Sequence, residues 1–143
     1  MKNIRAFYGF LSLLFLFLGM TIYLLFRNLN GTILFSLILK YKFIKTILVP
    51  LKPSVFANIL RYNIPDMFWF LSGILFFRFI WFFNINIQLV YIFCFYGIAF
   101  IIEISQLSEK IPGTFDWMDL LFLGIAAFVE GLLYKNYFPR RFV

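Results

Sequence analysis

EISQLSEKIPGTFDWMD, residues 103–119, holds four of the six acidic residues of a chain that is 64% hydrophobic. Pro112-Gly113 marks a turn, and the residues on both sides of it run into long apolar stretches. The stretch therefore reads as a short hairpin between two transmembrane helices. Ser108 to Gly113 form the turn and Thr114 caps the helix that follows. Glu103 and Gln106, three residues apart, share a face of the incoming helix, and Asp116 and Asp119 share a face of the outgoing one.

The rest of the chain supports that reading. Only 13% of its 143 residues are charged, about half of what a soluble domain carries. Before the hairpin, residues 87–107 form an apolar span preceded by a polar turn at Asn84-Ile85-Asn86, and after it residues 116–134 form another. Residues 67–83 make a third, with Trp69 and Trp81 near its two ends, where indole rings favour the interface. Asn63-Ile64-Pro65-Asp66 ahead of it has the composition of a helix start: a capping residue, a proline in the first turn and an acid at the positive end of the dipole. Residues 7–26 are free of charge and long enough to cross a bilayer. They follow Lys2 and Arg5 and lead to Arg27 without a small-residue cleavage site, which argues for an uncleaved span rather than a signal peptide.

These spans predict an all-α membrane protein, a bundle of four transmembrane helices within a single integral membrane domain, 1–143. Between the first and second spans, residues 27–65 read as an interfacial loop. Lys40, Lys42, Lys45 and Lys52 interrupt its apolar residues too often for insertion, and KYKFIK alternates well enough to leave a short strand or a re-entrant segment open within 33–51. The net charge of +7 is dispersed beside apolar runs, which favours membrane lipids over nucleic acid as the partner. The absence of His and the single Cys94 exclude a zinc site of the usual kind, and no metal or cofactor is expected.

Counting helix directions places Asp66, Glu103, Gln106, Asp116 and Asp119 near one membrane face. The same count brings Arg78 and Glu130 to similar depths near the other face, where an intramembrane ion pair is expected because charges in lipid pair or face the bundle interior. Carboxylates crowded in a low-dielectric surrounding cannot all ionise cheaply. The cluster could supply a general acid or base, hold a hard cation on oxygen ligands, or stabilise helix starts. Asp66 suits the last reading. Glu103 suits it least, because it sits at the C-terminal end of its helix, where the dipole disfavours an anion.

The pattern Glu103-x-x-Gln106, a short Pro-Gly turn, then Asp116-x-x-Asp119 leading into a helix with Gly124, Ala127 and Gly131 resembles the VanZ-like family of small bacterial membrane proteins. The resemblance covers mainly the last two spans, with looser support from Ile64-Pro65-Asp66 and Trp69. It implies a multi-span helical protein of the bacterial cell envelope, associated with glycopeptide susceptibility, in which Glu103, Gln106, Asp116 and Asp119 are functional. Family members often carry an arginine in the hairpin and an asparagine a turn beyond the second Asp; Thr114, Phe115 and Leu123 stand near those places here.

Three functions follow as expectations. The first is binding of a lipid-linked or amphiphilic molecule at the acidic interhelical site. The second is a membrane enzyme acting on lipids, disfavoured because the chain has no nucleophile elbow, phosphate loop or histidine base. The third is a small proton- or cation-coupled carrier. Lys2 and Arg5 before the first span, and Lys135, Arg140 and Arg141 after the last, favour cytoplasmic termini in the bacterial inner membrane, although the cations of residues 27–61 act against that assignment.

Overall fold

A computed structural model describes residues 2–26, 54–107 and 115–137, and the hairpin turn, most of the first loop and the basic tail lie outside them. The described residues form four helices long and apolar enough to cross a membrane, and no strand. These are α1 (Lys2–Phe26), α2 (the continuous rod Val55–Ile80), α3 (Ile85–Gln106) and α4 (Trp117–Tyr137). The chain is an all-α, four-helix integral membrane protein.

The central helix is α2, the most buried of the four although it has the lowest mean hydropathy. The two facts belong together, because a helix shielded from lipid by its neighbours can carry polar groups that a lipid-facing helix cannot. Leu71, Ile74 and Leu75 form the middle of its buried face, joined by Tyr8 from α1, Ile92 from α3 and Ala126 from α4. The outer faces of α1 and α3 are large apolar side chains, as contact with acyl chains requires.

α1 packs along the length of α2. Ser12 Oγ donates to the Ser72 carbonyl at 2.9 Å, and the Tyr23 ring lies tilted against Trp69 with ring centres 5.1 Å apart. Glycine is required at Gly19, where a Cβ would meet the Trp69 ring at 2.7 Å and the Pro65 carbonyl at 3.1 Å. At the other end Arg5 Nε donates to the Phe79 carbonyl at 3.1 Å, and the guanidinium lies over the Phe79 ring. The final carbonyls of a helix lack intrahelical donors, so this contact both caps α2 and fixes α1 against it.

The boundaries of the second span and of the turn after it differ most from those read in the sequence, and α1 begins at Lys2 rather than Phe7. The second span begins at Val55 rather than Met67, with Ser54 Oγ accepting from the Ala57 amide at 3.1 Å; residues 55–65, expected within the interfacial loop, are helical, and residues 27–53 lie outside the described region. The rod passes Pro65 by widening into a π turn over Ile59–Asn63, in which the Ile64 amide bonds the Ile59 carbonyl. A proline inside a helix removes one donor and crowds the carbonyl four residues back, and a local π adjustment is one way a membrane helix re-satisfies the freed backbone groups. Asn63 consequently has helical backbone angles and makes no side-chain cap. At its far end α2 stops at Ile80, the turn is Trp81–Phe83, and Asn84 caps α3 by accepting from the Ile87 amide at 3.2 Å.

Candidate functional site

The π turn sets the direction of two polar side chains on α2. Asn63 and, three residues later, Asp66 face α3 and α4 and line a cavity of about 300 Å³. α3 contributes Phe95, Ala99, Ile102 and Glu103, and α4 contributes Asp119, Phe122 and Leu123. Within each helix these residues follow the i, i+3, i+4, i+7 pattern of one helical face. The walls are largely aromatic and aliphatic, with Trp69 and Phe70 completing them on the α2 side, and among the described residues no Lys or Arg lines the cavity.

The polar groups are held to different degrees. Asn63 is buried, at 4% exposure, and its Nδ2 donates to Asp119 Oδ1 at 2.6 Å. This bond joins the α2 π turn to the first turn of α4, where the helix dipole also favours the Asp119 carboxylate. Glu103 has neither support. It lies in the last turn of α3, its Oε2 is buried without a hydrogen-bond partner among the described residues, and Asp119, Asp66 and Asp116 are all within electrostatic range of it. Three carboxylates from three helices thus converge on one apolar-walled cavity, the arrangement suited to hydrogen-bond donors or positive charge entering from outside the protein.

The five acidic-site residues expected from sequence do not all join it. Asp66, Glu103 and Asp119 line the cavity, whereas Gln106 and Asp116 do not. Asp116 takes the capping role expected of Thr114: its Oδ1 accepts from the Met118 amide at 2.9 Å. Asp66 stands in the first turn of the α-helical run Ile64–Ile80, as the sequence suggests, although the π turn before it carries the rod about three turns further back to Val55. Asn63, which has the composition of a cap, is instead the only amide or hydroxyl side chain among the described residues of the cavity wall; its i, i+3 spacing from Asp66 is the available signal. Thr114 and the hairpin turn lie outside the described residues. No group of three or more His, Cys, Asp or Glu among the described residues is placed to hold a metal ion.

A second polar site lies at the other end of the bundle, where the structure brings Arg78 and Glu130 together. Arg78 Nε donates to Glu130 Oε1 at 2.6 Å, with side-chain exposures of 5% and 8%. Gln88, buried at the start of α3, accepts from Arg78 Nη1 and returns its own Nε2 to the Arg78 carbonyl at 3.2 Å. Tyr134 lies under the guanidinium, 4.1 Å from ring centre to Cζ. Gln88 was not anticipated. It reads as one polar residue in an apolar run, and only its closeness in the fold to Arg78 shows what it does.

Comparison with known proteins finds no matching family model, no similar curated protein and no similar solved structure.

Proposed function

We propose that this chain is a membrane-embedded binding protein for an amphiphile whose polar head carries hydrogen-bond donors or positive charge. The observation that supports it is the convergence of Asp66, Glu103 and Asp119 on an aromatic-walled cavity with no basic residue among the described residues that line it. Ligand pockets are mostly apolar, with a few convergent polar groups that fix orientation. Here those groups are acceptors, and the partly unpartnered Glu103 is the one most open to a donor from outside. On this reading Trp69, Phe70 and Phe95 contact the ligand's apolar part beside its head, and Asn63 orients the Asp119 carboxylate.

The resemblance of the Glu103-to-Asp119 pattern to the VanZ-like family extends the proposal to a bacterial envelope protein of the inner membrane, with lipid-linked molecules as ligands and an effect on glycopeptide susceptibility. Lys2, Arg5 and Lys135 stand at the end of the bundle opposite the carboxylates, so the rule that cations stay inside gives cytoplasmic termini and an acidic site facing outward.

The test is capture. Wild-type protein and Glu103→Gln, each reconstituted in nanodiscs and exposed to a total bacterial lipid extract, are compared by mass spectrometry of the retained lipids. Selective enrichment by wild type, lost in a Glu103→Gln protein of unchanged thermal stability, is expected. Equal retention by both would overturn the assignment of binding to this cavity. Chemical turnover of a captured lipid would move the protein to the enzymes.

A further inference from the structure

We infer that the cleft between α3 and α4 is a tail groove for the same amphiphile, holding a hydrocarbon chain that reaches about one leaflet into the membrane. The inference rests on the proposed head site and adds where the rest of the molecule goes. The cleft has a volume of about 510 Å³ and is lined among others by Phe93, Gly97 and Phe100 of α3 and by Leu123, Gly124 and Ala127 of α4. Its room comes from the small residues. A Cβ built at Gly97 or Gly124 meets nothing within 4 Å, so these glycines do not serve close packing within the bundle. They leave a channel where larger side chains would have closed the seam.

Two features connect the channel to the head site. Leu123 lines both cavities, which makes it the wall over which one molecule can occupy both. The depths also agree. Phe100 and Leu120 stand within a turn of Glu103 and Asp119, at the mouth of the cleft. From Glu103 to Phe93 is about 15 Å and from Asp119 to Ala127 about 12 Å at 1.5 Å per residue. A hydrocarbon core of about 30 Å makes that one leaflet. A groove that starts under a cluster of acceptors and runs inward for half the membrane matches an amphiphile lying in its ordinary bilayer orientation, with its head at the interface and its chain toward the midplane.

Two photoreactive hexadecylamines test this in nanodiscs, one with a diazirine beside the ammonium and one with it at the chain end. The head-proximal probe should label residues around Asn63, Asp66 and Glu103, and the chain-end probe the segments Phe93–Phe100 and Leu120–Ala127. In Gly124→Leu/Ala127→Leu, which fills the open cleft, chain-end labelling of these segments should fall at least tenfold, and hexadecylamine should lose its advantage over butylamine in competing for head-proximal labelling. Head labelling in the cavity with chain-end labelling spread evenly over the lipid-facing helices would overturn the groove and leave the head site standing. Labelling by neither probe would remove both. A double variant that breaks up an oligomer while chain-end labelling persists would assign the cleft to a second copy of the chain and overturn the inference.

Discussion

Asn63 shows how little local sequence says about a buried polar side chain. Next to Ile64-Pro65-Asp66 it reads as a helix cap, yet its amide reaches across to Asp119, 56 residues away, at 2.6 Å. A buried hydrogen bond to a charged group contributes about 1.5 to 3 kcal/mol, and losing one partner strands the other. Asn63→Ala should therefore lower stability in detergent by about 1 to 3 kcal/mol, measured by denaturant or thermal unfolding. It should also be non-additive with Asp119→Ala, because the two side chains share one bond. Additive effects would mean that the contact does not hold α2 to α4. The dipole alone separates Glu103 from its acidic neighbours in the sequence, and in the structure its buried Oε2 has no hydrogen-bond partner among the described residues. The division of Asp116 from Asp119 was not legible, since both stand in or beside a first turn and only the backbone geometry decides which one caps.

Among the helices, legibility followed charge. α1, α3 and α4 are long runs with little to interrupt them, and the boundaries read from them fall within five residues of those in the structure. The exception is the beginning of α2, where Arg61, Asn63, Pro65 and Asp66 look like the end of a loop. They are helical because the rod is not fully in lipid there: Asn63 is satisfied by α4, Asp66 faces the cavity, and the π turn absorbs the proline. Against α1 the same region is closely packed at Gly19. Gly19→Ala should push the Trp69 ring or the Pro65 backbone and cost about 1 to 3 kcal/mol, as overpacking typically does. Gly131→Ala, where a Cβ meets nothing within 4 Å, should leave the melting temperature in detergent unchanged or slightly raised. Equal effects of the two would place α1 elsewhere.

For the molecule as a whole, the two polar sites occupy opposite ends of the bundle. The Arg78 site ties α2, α3 and α4 through Glu130 and Gln88. Breaking a buried pair on one side is far more harmful than replacing both partners, by about 3 to 5 kcal/mol in soluble proteins. Arg78→Met should lower thermal stability in detergent strongly, and Arg78→Met/Glu130→Leu should recover most of the loss; unchanged stability of the single variant would show the pair to be idle. Orientation is testable at the same scale. In a Cys94→Ser background, Asn86→Cys should react with an impermeant maleimide only after the membrane is opened, and Asp116→Cys before it. The reverse order would place the carboxylates in the cytoplasm. The Arg78 pair also has a consequence for synthesis, since its partners arrive at different times. Gln88 follows Arg78 by 10 residues and Glu130 by 52, so at about 5 to 20 residues per second the arginine waits roughly 3 to 10 s for its carboxylate. Over most of that interval Gln88 is the partner already made, so its place at the start of α3 gives the nascent chain a temporary neighbour for a charge that its own helix cannot neutralise.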